Sequence, residues 1–99
     1  MNIEEAKKIT LSLIETFNKA SQVALDLRES GLKKKIKSDN TPVSNGDIEV
    51  NKILTKKIKE ITPNIAIVSE ESSDHKTNNS LVNFWLIDPI DGTRDYINN

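Results

Sequence analysis

Apolar residues recur in steps of three and four from Ile3 to Leu27, at Ile3, Ala6, Ile9, Leu13, Phe17, Ala20, Ala24 and Leu27. That spacing suits a helix and is incompatible with the two-residue period of a strand. Ile14 and Val23 widen the stripe, and Gly31 follows where a helix end favours positive φ. One long amphipathic helix is predicted, with packing as its role. A second stripe, Val50, Leu54, Ile58 and Ile61, predicts a helix from about Gly46 to Ile61. Ser44 followed three residues later by Asp47 is a capping pattern at its start, and Thr62-Pro63 ends it. Between the helices, Asp39, Asn40, Pro42, Asn45 and Gly46 are turn formers and predict a turn-rich hairpin.

Two short apolar runs follow, Ile65 to Val68 and Phe84 to Ile87, separated by a polar stretch over 74–80 that reads as a loop. Helix, hairpin, helix, strand, loop, strand is the order of a layered α/β or α+β arrangement. Two short strands leave open edges, and the helix stripes need more sheet than these runs supply. Residues 1–99 are therefore expected to be the N-terminal part of one larger domain.

Other classes are disfavoured by what the chain contains. Ile, Leu, Val and Phe make up 28 of its 99 residues, above the ~20% below which disorder is the default. No apolar run approaches the ~18 residues of a spanning helix, so no membrane-spanning segment is expected. Cysteine is absent, which removes disulfides, thiol nucleophiles and zinc–thiolate sites. MNIEEAKK carries no apolar leader segment, and a cytoplasmic protein is expected. Net charge is −1, but residues 66–99 hold six of the fifteen acids and only two of the fourteen basic residues. Carboxylates concentrated beside apolar strands need cations, protons or hydrogen-bond donors.

WLIDPIDGTRDY, residues 85–96, is where that chemistry is concentrated. An apolar strand delivers Asp88, and Asp91 follows three residues later beside Gly92. Two carboxylates with the Ile90 carbonyl between them are hard oxygen donors suited to Mg²⁺ or Mn²⁺. D-P-x-D-G is equally a good turn sequence. Glu70 and Glu71 end the other apolar run; they read either as an exposed acidic loop or as partners of Asp88 and Asp91. If the two strands are neighbours, four carboxylates crowd one edge, and a divalent cation is the natural remedy. Asp47 is a helix cap that can also accept a proton. Lys37 closes the run Lys33-Lys34-Lys35-Ile36-Lys37, which reads as a solvated edge; without interleaved aromatic residues, nucleic acid is not an expected partner. His75 is given no role, and Trp85 is expected in the core.

D-P-I-D-G-T at 88–93, with W-L-I before it, S-E-E at 69–71 and K-S-D-N-T-P-V-S-N-G-D at 37–47, resembles the Mg²⁺-dependent, lithium-sensitive phosphatases of the inositol monophosphatase superfamily. T-P-N-I-A-I-V-S-E-E and D-G-T-R-D-Y-I resemble its 3′(2′),5′-bisphosphate nucleotidase branch. Inositol monophosphatases and histidinol-phosphate phosphatases are near alternatives.

The resemblance implies a layered α/β sandwich, commonly dimeric, holding two or three Mg²⁺ ions and acting on a small phosphorylated metabolite. Glu70, Asp88, the Ile90 carbonyl and Asp91 would be metal ligands, with Glu71 and Lys37 just behind them. Thr93 with Asp47 would orient and deprotonate the attacking water. Glu70, Asp91, Gly92, Thr93 and Arg94 would contact the substrate. Phosphate monoesters hydrolyse extremely slowly unaided, and two cations about 3.5–4 Å apart both activate water and stabilise the leaving oxygen. The family's later W-D-x-A-type segment, with a further metal-binding aspartate, is not in this chain, so the 99 residues alone are expected to be inactive. A non-catalytic fragment or interaction module is the alternative from another class.

Overall fold

The computed structural model describes residues 1–72 and 83–98. The polar stretch expected as a loop over 74–80, with His75, lies outside the described residues. Helices α1 (Ile3–Ser12), α2 (Ile14–Ser30), α3 (Asn45–Ile61) and α4 (Thr93–Asn98) accompany two small sheets. The antiparallel sheet is β1 (Lys34–Ile36) with β2 (Pro42–Ser44), and the parallel one is β3 (Ala66–Ser69) with β4 (Phe84–Ile87). This mixed helix and small-sheet arrangement is an α/β fold. Among the described residues no helix is long and apolar enough to cross a membrane.

The single long helix expected from Ile3 onward is instead two. Thr10 and Ser12 donate their hydroxyls back to the carbonyls of Ala6 and Ile9, at 2.8 and 2.7 Å, a local bond that competes with the helical ladder and bends it. The Leu13 amide takes the Thr10 carbonyl at 3.1 Å, a tightened turn, and the normal ladder resumes with Phe17 on Leu13 at 2.9 Å. The break lets Leu13 turn fully into the core. Downstream, α2 runs to Ser30 and closes at Gly31, whose φ of 104° suits glycine.

Buried Ala20 and Ala24 on α2 allow close approach to α3, which contributes Val50, Leu54 and Ile58. Ile61, expected on the same face, is half-buried. Ile67 and Ile87 complete this core from the parallel sheet. Trp85 sits at its edge, half-buried, and its indole N–H donates to Thr62 Oγ1 at 2.9 Å. Outward-facing Leu86 is 77% exposed and Phe84 is also exposed, so the sheet is covered on one face only among the described residues.

Two features position the site. The register pairs Ala66 with Phe84 through to Ser69 with Ile87, and parallel pairing delivers both C-terminal ends to one edge. Ser44 caps α3 through a reciprocal pair: the Asp47 amide donates to Ser44 Oγ, and the Ser44 amide donates to Asp47 Oδ2 at 2.8 Å. The capping pattern expected from sequence is thus present.

Candidate active site

At the shared edge, the Glu70 amide donates to the Ile87 carbonyl at 3.0 Å, which extends the pairing one residue beyond the strands. Glu70 follows β3 and Asp88 follows β4, so the two acids stand side by side at this edge. The neighbouring Glu70 carboxyl group, through hydrogen bonding and charge, together with burial pushes Asp88 up to about 6. Burial also raises Glu71, helped by the charges of Asp47 and Asp88 and opposed by Lys37.

Lys37 is brought here by the β1–β2 turn. Its amide donates to the Thr41 carbonyl at 2.8 Å, and Asn40, at φ 67°, donates back to the Lys37 carbonyl. Its ammonium then lies 3.7 Å from both Glu70 Oε1 and Glu71 Oε1. The solvated edge expected of the lysine run holds for Lys34 and Lys35, but Lys37 is half-buried against acids. Exposed ion pairs of this kind stabilise a fold by under about 1 kcal/mol. The contact matters here for where it places positive charge.

Asp47 is 1% exposed and its two oxygens are divided between partners. Oδ2 accepts from the Ser44 amide and hydroxyl, the latter at 2.6 Å. Oδ1 accepts from the Thr93 hydroxyl at 2.8 Å, a contact between residues 46 apart in the chain. The same hydroxyl lies 3.2 Å from the Ile90 carbonyl. Gly92 reaches the start of α4 with φ 73°, a value that favours glycine. Arg94 extends across to the hairpin turn, with Nη2 3.4 Å from the Asn40 carbonyl.

A cavity of about 380 Å³ opens between the hairpin and the Asp88–Asp95 turn, lined by Pro42, Glu70, Asp88, Ile90, Thr93 and Arg94 among others. The structure therefore gathers Glu70, Asp88, Ile90, Gly92, Thr93 and Arg94 around one space, with Asp47 behind Thr93 and Lys37 linking Glu70 to Glu71. Asp91 is exposed on the turn before α4. Among the described residues no three acidic or histidine side chains close into one metal-holding group. None of their buried side-chain polar atoms lacks a partner. The donor set still fits a hard divalent cation. Two strand-end carboxyl groups side by side, with a backbone carbonyl lining the same cavity, are oxygen donors in want of positive charge.

Residues 3–99 match the inositol monophosphatase family, and the chain belongs to it. Among its relatives are proteins named 3′(2′),5′-bisphosphate nucleotidase CysQ. That of Aggregatibacter actinomycetemcomitans is 44% identical over 69 residues, covering 65% of this chain and 24% of the relative. That of Haemophilus influenzae is 40% identical over 65 residues, with 64% and 24% covered. The protein of that name from Escherichia coli strain K12 is 32% identical over 62 residues, with 62% and 25% covered. The match thus spans about a quarter of the length of these relatives. No solved structure matches the chain.

Sequence patterns alone did not show that Tyr96 packs on Gly46, or that Ser69 donates to Asn51 Oδ1 at 2.5 Å while Asn51 donates to Ser72 at 3.0 Å. Each joins residues distant in the chain through side chains with no motif spacing.

Proposed function

We propose that the chain is the N-terminal part of a single phosphatase domain of layered α/β sandwich type. Its protein is an Mg²⁺-dependent phosphomonoester hydrolase that removes the 3′-phosphate from bisphosphate nucleotides such as 3′-phosphoadenosine 5′-phosphate. The observation that carries this reading is the hydrogen bond from Thr93 to buried Asp47 beside a cavity lined by Glu70 and Asp88. The CysQ relatives support the substrate class.

In this reading Glu70, Asp88, the Ile90 carbonyl and Asp91 hold the ions, which when bound neutralise phosphate charge and lower the pKa of water. Thr93 accepts a hydrogen bond from the attacking water while donating its own proton to Asp47, so Asp47 fixes the direction in which the hydroxyl's lone pairs face. Asp47 is the acceptor toward which the proton moves through Thr93. Arg94 contributes positive charge at the cavity wall for the substrate, and Gly92 leaves room for its phosphate. Water attacks in line, the ester P–O bond breaks, and the products are inorganic phosphate and the 5′-phosphorylated nucleoside.

The test is phosphate release by the protein in its complete length, with Mg²⁺ and a panel of 3′-phosphoadenosine 5′-phosphate, inositol 1-phosphate and histidinol phosphate. Preference for the first substrate, inhibition by Li⁺ and loss of turnover in Asp88→Asn are expected, while the 99 residues alone give none. Turnover on inositol 1-phosphate in preference would replace the substrate. Release from none of the three would overturn the phosphatase reading.

A further inference from the structure

Helix α4 has six residues and buries none of them, far below the ~12–15 residues at which an isolated helix becomes even marginally stable. Its position must come from tertiary contacts, yet it carries Thr93. The Arg94 contact with Asn40 is long, at 3.4 Å. Tyr96 makes a stronger one. Its hydroxyl donates to the Ala24 carbonyl of α2 at 2.6 Å, and its ring end fills the space in front of Gly46. A methyl group on Gly46 would collide with Tyr96 Oη and would stand 2.7 Å from Cε2 and 2.8 Å from Cζ. Gly46 directly precedes Asp47, which the capping box holds in place. The Tyr96 amide also closes the first turn of α4 on the Gly92 carbonyl at 3.0 Å. The phenol is thus in contact with α2 and the start of α3 while belonging to the helix that begins with Thr93.

We propose that Tyr96 is a positioning residue: its ring, seated on Gly46 and tied to α2, holds α4 so that the Thr93 hydroxyl stays on Asp47. Glycine at position 46 is then required by the ring, because only a residue without Cβ lets it approach. Burial, reinforced by the Asp47 charge, raises the phenol pKa, so the hydroxyl remains a donor at neutral pH. The functional meaning of the role rests on the phosphatase reading, whereas the geometric claim does not.

The test uses NMR on the protein in its complete length, reading the Thr93 χ1 rotamer from three-bond couplings and amide exchange in α4. Gly46→Ala and Tyr96→Ala should both convert Thr93 from one rotamer to an average. Tyr96→Phe keeps the ring on Gly46 and should preserve the rotamer, while α4 amides exchange about five- to tenfold faster for want of one hydrogen bond. Tyr96→Leu retains apolar volume without the flat ring, and it decides the matter if Tyr96→Ala does not fold. A single Thr93 rotamer persisting in Gly46→Ala and Tyr96→Leu would overturn the proposal. In the complete protein, the same two variants should lower kcat about 10- to 100-fold at unchanged KM, the signature of misplacement by about an ångström. Rotamer averaging without wild-type phosphate release would leave the positioning role standing and remove the phosphatase reading instead.

Discussion

Two substitutions at Asp47 separate its structural work from its chemical work. Asp47→Ala removes the acceptor of three donors, the Ser44 amide, the Ser44 hydroxyl and the Thr93 hydroxyl. The hydroxyls can rotate, with Ile90 O available to Thr93 at 3.2 Å. The Ser44 amide cannot, and Ser44 is fully buried. Leaving that group unsatisfied, which is the half of the capping box that the Asp47 side chain supplies, costs about 1–3 kcal/mol. A loss of about 1–3 kcal/mol is expected. Asp47→Asn can turn its carbonyl oxygen toward Ser44, keep both bonds there and present its amide to Thr93, which then accepts. That exchange of a charged for a neutral acceptor costs about 1 kcal/mol. Urea denaturation of the 99-residue chain and its two variants measures both losses. The cap reasoning predicts the Asn variant about 1 kcal/mol above the Ala variant, close to a fivefold difference in the folding constant. Equal losses would refute it. In the complete protein Asp47→Asn should still abolish turnover, because an amide cannot accept the proton.

The remaining expectations concern metal, pH and the core. Asp88 has its pKa raised in the fold, from 3.8 to about 6, through the hydrogen bond to Glu70, burial and the Glu70 charge, with Asp47 adding and Lys37 opposing. The folded state therefore holds this proton more tightly, so its stabilising contribution is complete below pH 3.8 and is lost as pH rises through about 6. Glu71 acts in the same direction. Mg²⁺ competes with that proton, so affinity by calorimetry should rise between pH 5 and about 6.5, with protons released on binding; binding that weakens over this interval would contradict the assignment. In the core, Ile58→Ala should cost about 2–5 kcal/mol, because Ile58 is buried within the main apolar cluster. Leu86→Ala, at a mostly exposed position, should move the denaturation midpoint by far less, and comparable shifts would mean that the outer sheet face is covered.

Much of the site was legible in the sequence because its parts lie on short-range patterns. Ser44 and Asp47 read as a cap since a capping box is set by a spacing of three. Asp88 and Glu70 read as strand-end acids since apolar runs stop at them. The break at Leu13 was missed because the apolar stripe continues unbroken through it, while the cause lies in the hydroxyls of Thr10 and Ser12 turning back on their own helix. From its own run Lys37 read as a solvated edge, and only the family resemblance put it behind the acids, because composition cannot show which of four lysines a hairpin turn faces toward them.

By itself, then, the amino-acid order determined which stretches become helix or strand (though not the break at Leu13), the cap on α3, and membership of a phosphatase family through motifs that keep their spacing. Only the tertiary structure decided that β3 and β4 are parallel neighbours, which puts Glu70 on Asp88, and that Thr93 donates to Asp47 across 46 residues of chain. Periodicity and capping are local physics, fixed by bonds to residues a few positions away. The meeting of Glu70 with Asp88, the seat of Tyr96 on Gly46 and the placement of Lys37 depend on distances through space, which arise only when the buried faces of α2, α3 and the sheet pack together.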